Sequence, residues 1–193
     1  MMEDRILDEI RLEVKRLTPH NGTHGFDHTL RVYKTCMRIG FSTGADLSVL
    51  LPAALLHDVA REEAEHNNAS SVKAREILMS LNYPREKMEL VARAISTHSF
   101  SGRLTPDSLE AEILSDADKL DAMGALGVYR AAMYSGEKGR PIEEFTAHFY
   151  EKLLKLKEKL YTDEAKRIAD SKHRFMLSFL EQLGKELSLD SQV

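Results

Sequence analysis

Tryptophan is absent from this chain of 193 residues, and cysteine occurs once. The single cysteine, Cys36, excludes an intrachain disulfide and any zinc site built on thiolates, and it suits a reducing compartment. Long apolar runs are missing too: none approaches the roughly 18 residues that a bilayer-crossing helix needs. The opening segment, MMEDRILDEIRLEVKRL, is charged throughout and lacks the apolar stretch of a secretory signal. A cytoplasmic protein is therefore expected. Nor does one sign of charge dominate. With 27 Lys and Arg against 31 Asp and Glu, the net charge is −4. A weakly acidic chain has no general attraction for nucleic acid or for anionic membranes, so neither is an expected partner. The lysines of KLLKLKEKL have no interleaved aromatics, and the segment reads as an amphipathic helix with a solvated face. Strand-like alternation is nearly absent, as are internal repeats and low-complexity tracts.

What is present is helical spacing, almost everywhere. Apolar residues make up 42% and charged residues 30%, the balance of an ordinary globular protein. The expected fold is all-α, a single-domain helical bundle. Its core covers about 24–125, with C-terminal helices at about 142–186 packed on it. Helices are predicted over about 3–17, ended by Thr18-Pro19, and over a segment with Leu30, Tyr33, Met37 and Gly40 on one face. Asp46 is the expected N-cap of the next helix. Its Leu47, Leu50, Leu51, Ala54 and Leu55 repeat with the period of a buried stripe. Further helices are expected over about 66–80, toward His98, from the cap Thr105-Pro106 to Asp121 or beyond, over about 142–159, and over about 163–186 with Thr162 as cap.

The leucine stripe leads to the chemistry. Continued along the same helix, it arrives at His57, Asp58 and Val59, so a charge stands where the pattern calls for a leucine. A buried aspartate is costly unless it is paired or bound to a metal. Taken alone, a His-Asp pair is more often an acid paired with an arginine. His28 and Asp118 strengthen the metal reading. Asp118 borders a second stripe, Leu114, Ala117, Asp118 and Asp121, and His28 opens a helix. Adjacent residues of one helix point about 100° apart, so other elements must close a shared coordination sphere, and these two residues suit that place. Imidazoles with carboxylates favour one divalent ion, Mn, Fe, Co, Ni, Zn or Mg, with Mn or another transition metal preferred.

The order H…HD…D, with the local segments FDHTLRV, AALLHDVA and SDADKLDAMGALGVYR, resembles the HD-domain superfamily of metal-dependent phosphohydrolases. The segment HFYEKLLKLKEKLYTDEAKRIADSKHRFMLSFLEQL is similar to the tail of its small YedJ-like branch. The resemblance covers about residues 24–186. It implies the all-α fold, His28, His57, Asp58 and Asp118 as metal ligands, and hydrolysis of a phosphoester or phosphoanhydride. The GYP-type motif of cyclic-dinucleotide phosphodiesterases is absent, which argues against that substrate.

Around this centre, Glu62 is the expected proton-handling group with Asp58, on the reasoning that residues four apart share a helix face. Its plain alternative is a solvated glutamate beside Glu63. Arg61, Lys119, His98 and His66 are candidates for binding the substrate. For Arg61 and Lys119 the plain alternative is a salt bridge, and for His98 a satisfied core histidine. Asp27 is read as a helix cap. The expected substrate is a small phosphorylated metabolite or nucleotide, and a homodimer is compatible with the sequence. Competing readings are a di-iron oxygenase of the same superfamily, which would draw on His66 and His98, a binding module that keeps a metal without catalysis, and a metal-free helical scaffold.

Overall fold

The computed structural model describes residues 2–18, 25–61, 63, 66–98 and 104–190. Among them lie nine α-helices, one 3-10 helix and no strand, the all-α class that the sequence spacing predicts. No described helix is long and apolar enough to cross a membrane. The chain divides into two compact units, residues 1–118 and 119–193.

The first unit is organised around α3, Leu47–Leu56, which contacts α1 (Met2–Leu17), α2 (Phe26–Thr43), α4 (His66–Ser80) and α5 (Arg85–Thr97). Every residue from Val49 to Leu56 is buried, so α3 is apolar on all sides rather than along one stripe. Burying each leucine contributes about 1.5–3 kcal/mol. The start of α3 is as expected: the Asp46 carboxylate accepts from the Ser48 N–H at 2.9 Å. Pro52 inside the helix has no N–H for the Ser48 carbonyl, and the Tyr83 hydroxyl donates to that carbonyl instead. Helix α2 buries Thr29, Val32, Tyr33, Cys36, Ile39 and Gly40, while Leu30 and Met37 are only half-buried. Its inward face is thus rotated from the predicted one. Gly40 sets the approach of α2 to α3, because a Cβ there would lie 2.7 Å from a Leu50 methyl carbon. Gly44, at φ 73°, closes α2 in the left-handed conformation that favours glycine.

Helix α6, Leu109–Asp121, begins later than the Thr105-Pro106 signal suggests. The carboxylate of Asp107 is taken by Arg93, at 2.7 Å from Nε, and the Ser108 hydroxyl caps the helix by accepting from the Ala111 N–H at 3.2 Å. Asp27 does not cap α2: Gly25 holds that position without a side-chain bond, and Asp27 is exposed.

The second unit holds α7 (Gly124–Glu137), α8 (Ile142–Glu151), the 3-10 helix (Leu153–Lys159) and α9 (Asp163–Asp190). The single helix expected over 142–159 is broken at Lys152. Leu153 and Leu156 are buried, and their spacing of three matches a 3-10 turn, in which positions i and i+3 eclipse. Phe145 and Phe149 pack edge to face with centroids 5.1 Å apart, and Phe179 of α9 joins them at 5.9 Å from Phe149. The expected cap is present: Thr162 Oγ1 accepts from the Ala165 N–H at 3.3 Å.

Candidate metal centre

Helix α3 ends at Leu56, with His57 as its C-cap. Beyond it the chain tightens into turns closed by Val59 N–H to Leu56 O at 3.2 Å and Arg61 N–H to Asp58 O at 3.1 Å. His57 and Asp58 therefore project from a turn at the helix end, and both are buried, at 0% and 4% exposure. The inward direction of Asp58 agrees with the leucine stripe. The α-helix whose continuation was to carry Glu62 four residues beyond Asp58 ends at Leu56. Glu62 lies outside the described residues, as does the side chain of His66.

The turn brings three ligand atoms together. His57 Nε2 is 3.2 Å from His28 Nε2. Asp58 Oδ2 is 3.7 Å from each of those nitrogens. His28 stands in the first turn of α2 and is buried. The other ring nitrogen of His57 lies 2.9 Å from the Ala54 carbonyl. A carbonyl only accepts, so Nδ1 carries a proton, and in the neutral ring Nε2, the nitrogen near His28, is the one with the lone pair. Bonds of about 2.0–2.2 Å at tetrahedral or octahedral angles place neighbouring ligand atoms about 2.8–3.6 Å apart. The separation of the two imidazole nitrogens falls inside that range, and the two distances to Asp58 lie just above it. The set His28, His57 and Asp58 therefore fits a divalent ion in spacing and in donor type, with all its ligand atoms within 4.8 Å of one another.

Asp118 comes from α6 and approaches from a different side, with Oδ1 3.5 Å from His28 Nε2. Its side chain keeps 34% of its surface exposed, against 3% for Asp58. Desolvation works to raise its pKa, but attraction to His28 and then His57 prevails over that and over repulsion from Asp58, and leaves it below the usual carboxylate value. Asp118 is therefore an ionised acid at neutral pH.

His98, the C-cap of α5, packs edge-on to His57, with ring centroids 5.3 Å apart and planes at 90°. Its Nδ1 donates to the Ile95 carbonyl at 2.6 Å. Burial, reinforced by His57, lowers its pKa to about 4, so the ring is neutral at pH 7. Arg61 Nη1 lies 3.3 Å from Asp58 Oδ1, the salt bridge foreseen as its alternative role. Lys119 is buried at 5% exposure, with Nζ 4.9 Å from the Tyr161 ring centroid. Burial first, and the charges of Asp118 and Asp116 next, push the Cys36 thiol well above its ordinary pKa, so Cys36 packs as a neutral thiol.

Two buried serines escape the sequence reading. Ser70 Oγ accepts from the Ala60 N–H at 3.1 Å and anchors the turn after the His-Asp pair, while the Ser115 hydroxyl donates to the His98 carbonyl. Serine in NNASSV or in ILSDAD carries no pattern that would mark it.

Comparison with known proteins gives the family. A family model described as HD domain matches residues 25–123. A Bacillus subtilis protein called uncharacterized protein YpgQ is 35% identical, covering 97% of this chain and 96% of its own. The crystal structure of Bacillus subtilis YpgQ superposes with a TM-score of 0.84 at 33% identity, over 96% of this chain and 97% of that one. YpgQ has also been solved in complex with ADP, with a TM-score of 0.83 at 32% identity and the same coverages. An HD-superfamily hydrolase from Bacillus thuringiensis matches with a TM-score of 0.80 at 32% identity, over 96% of this chain and 98% of its own.

Proposed function

The chain belongs to the HD-domain family, and on that premise we propose that it is a metal-dependent phosphohydrolase acting on a small nucleotide. The observation that carries this reading is the buried convergence of two imidazole nitrogens and a carboxylate oxygen within 3.2–3.7 Å. His28, His57, Asp58 and Asp118 would hold one divalent ion, with Mn or another transition metal preferred. When bound, the ion supplies Lewis acidity toward a phosphoryl oxygen and toward water. The chain's own residues do the rest. The bond from His57 Nδ1 to Ala54 O fixes which nitrogen faces the ion. Asp58 serves catalysis as an ionised ligand, and Glu62 moves the proton released from the attacking water. His66 and His98 contact the phosphorylated substrate in this scheme.

Nucleotide preference draws support from the relative solved with ADP. A single buried cysteine suits a reducing compartment, so we place the enzyme in the cytoplasm. The test begins with metal content by elemental analysis, on wild type and Asp58→Ala purified side by side. About one transition metal per wild-type chain and little in the variant is expected. A nucleotide panel with Mn²⁺ follows. Release of pyrophosphate marks a pyrophosphohydrolase, and release of phosphate from monophosphates marks a nucleotidase. No metal in either protein after reconstitution, or unchanged nucleotides throughout, overturns the reading.

A further inference from the structure

The carboxylate of Asp58 has two oxygens, and they face different partners. Oδ2 faces the imidazoles of His28 and His57, at 3.7 Å from each. Oδ1 faces the Arg61 guanidinium, 3.3 Å away. The backbone explains why Arg61 reaches it. In an α-helix, residues three apart are offset around the axis, but a turn of three residues eclipses them. The chain from Asp58 to Arg61 is such a turn, closed by the Arg61 N–H on the Asp58 carbonyl at 3.1 Å. The intervening Ala60 N–H is held by Ser70 Oγ at 3.1 Å, and Ser70 is fully buried. Ser70 therefore pins the turn to α4, and the turn sets Arg61 over Asp58.

We propose that Arg61 is a positioning residue that makes Asp58 a one-oxygen metal ligand. By occupying Oδ1, the guanidinium prevents the carboxylate from chelating with both oxygens. It also stops rotation about the bond to the carboxyl carbon, which would carry Oδ2 away from the imidazoles. A coordination position that a second oxygen would fill stays available to water or substrate. The inference rests on the metal reading above and gives Arg61 a role different from direct contact with phosphate. A side chain that orients a metal ligand typically changes metal affinity by about 10–100-fold when removed.

The test is titration of metal-stripped full-length protein with Co²⁺, read by visible absorption, on wild type, Arg61→Gln, Arg61→Lys and Asp58→Ala. Arg61 is 36% exposed on its side chain, so its replacement opens no cavity in the core. Arg61→Gln should bind Co²⁺ about 10–100-fold more weakly. Its visible band should be less intense than that of wild type, because a second carboxylate oxygen raises the coordination number. Arg61→Lys, which keeps a cation that can engage Oδ1, should restore most of the affinity and the wild-type band. Wild-type binding with an unchanged or tighter affinity in Arg61→Gln overturns the inference alone, as does a weaker affinity with an unchanged band. A wild-type protein that binds no Co²⁺, like Asp58→Ala, overturns the metal reading and this inference with it.

Discussion

The segments that deliver Asp58 and Asp118 reach the same place by opposite means. In α3 and its terminal turn, residues 49–59 form an unbroken buried run in which His57 and Asp58 are the only groups that ionise. In α6, acids abound: Asp116 and Asp121 are buried, and Asp118 keeps 34% of its side chain exposed. An acid in an otherwise apolar segment announces itself, because nothing else explains its cost. An acid among acids does not. In α6 the partners separate the roles: Asp121 is bonded to Arg130 at 2.7 Å, while Asp118 faces His28. The end of α3 supplies the buried carboxylate, and α6 supplies the more exposed one.

The largest effect tests whether both ends are needed. Asp58→Ala and Asp118→Ala should each lose tight metal binding while far-ultraviolet circular dichroism stays helical. Full metal occupancy in either variant removes that residue from the ligand set. Asp121→Ala sharpens the contrast within α6. Its side chain and that of Arg130 are only 4% and 12% exposed, and breaking a buried pair costs about 3–5 kcal/mol. Chemical denaturation should show that loss, and metal content per folded chain should not change. A metal-free but otherwise stable Asp121→Ala would mean that the two acids have been assigned the wrong way round.

A third, smaller effect lies where the two segments meet. His98 stacks edge-on against His57, and its carbonyl accepts from Ser115 of α6. Its folded pKa of about 4 is below the ordinary 6.5. The unfolded chain therefore takes up the proton first, and stability is complete above pH 6.5 and falls as pH drops toward 4. At pH 5 the loss from this one group is about 2 kcal/mol relative to pH 7. Urea titrations at the two pH values should show it. His98→Asn, which keeps a donor for the Ile95 carbonyl, should flatten that difference. An equal fall in the variant would place the acid sensitivity elsewhere.

These contrasts also explain what was legible. Helix α3, its Asp46 cap and the inward turn of Asp58 follow from local chemistry and apolar spacing, so the sequence displays them. The end of α3 at Leu56 does not follow, since the apolar pattern runs on to Val59, and the bond between Ala60 and the distant Ser70 is a tertiary contact that local spacing does not display. The Asp58–Arg61 contact needs that departure, and so escaped a reading that assumed a continuous helix. The start of α6 was misplaced for a similar reason: Thr105-Pro106 is a strong local signal, but Arg93, from a helix earlier in the chain, claims Asp107. The motifs FDHTLRV, AALLHDVA and SDADKLDAMGALGVYR imply the four ligands through resemblance, whereas spacing alone offers His28 and Asp118 only as suitable partners.

The smallest effect concerns how the two helices begin. Asp46 caps α3 with a bond of 2.9 Å to the Ser48 N–H, and it also accepts from the Ser48 hydroxyl and lies 3.5 Å from Lys87 Nζ. Ser108 caps α6 with a single bond of 3.2 Å. Losing an N-cap typically costs about 1 kcal/mol. Asp46→Ala should fall at or above that value, because it also removes an acid from the positive end of the helix dipole, and Ser108→Ala should fall below it. Neither substitution reaches the metal centre, so Co²⁺ affinity should stay at the wild-type value in both. A cap variant that lost stability and metal together would show that the ends of these helices move as one with the site, and that the ligands depend on helix position as well as on the turn at Asp58.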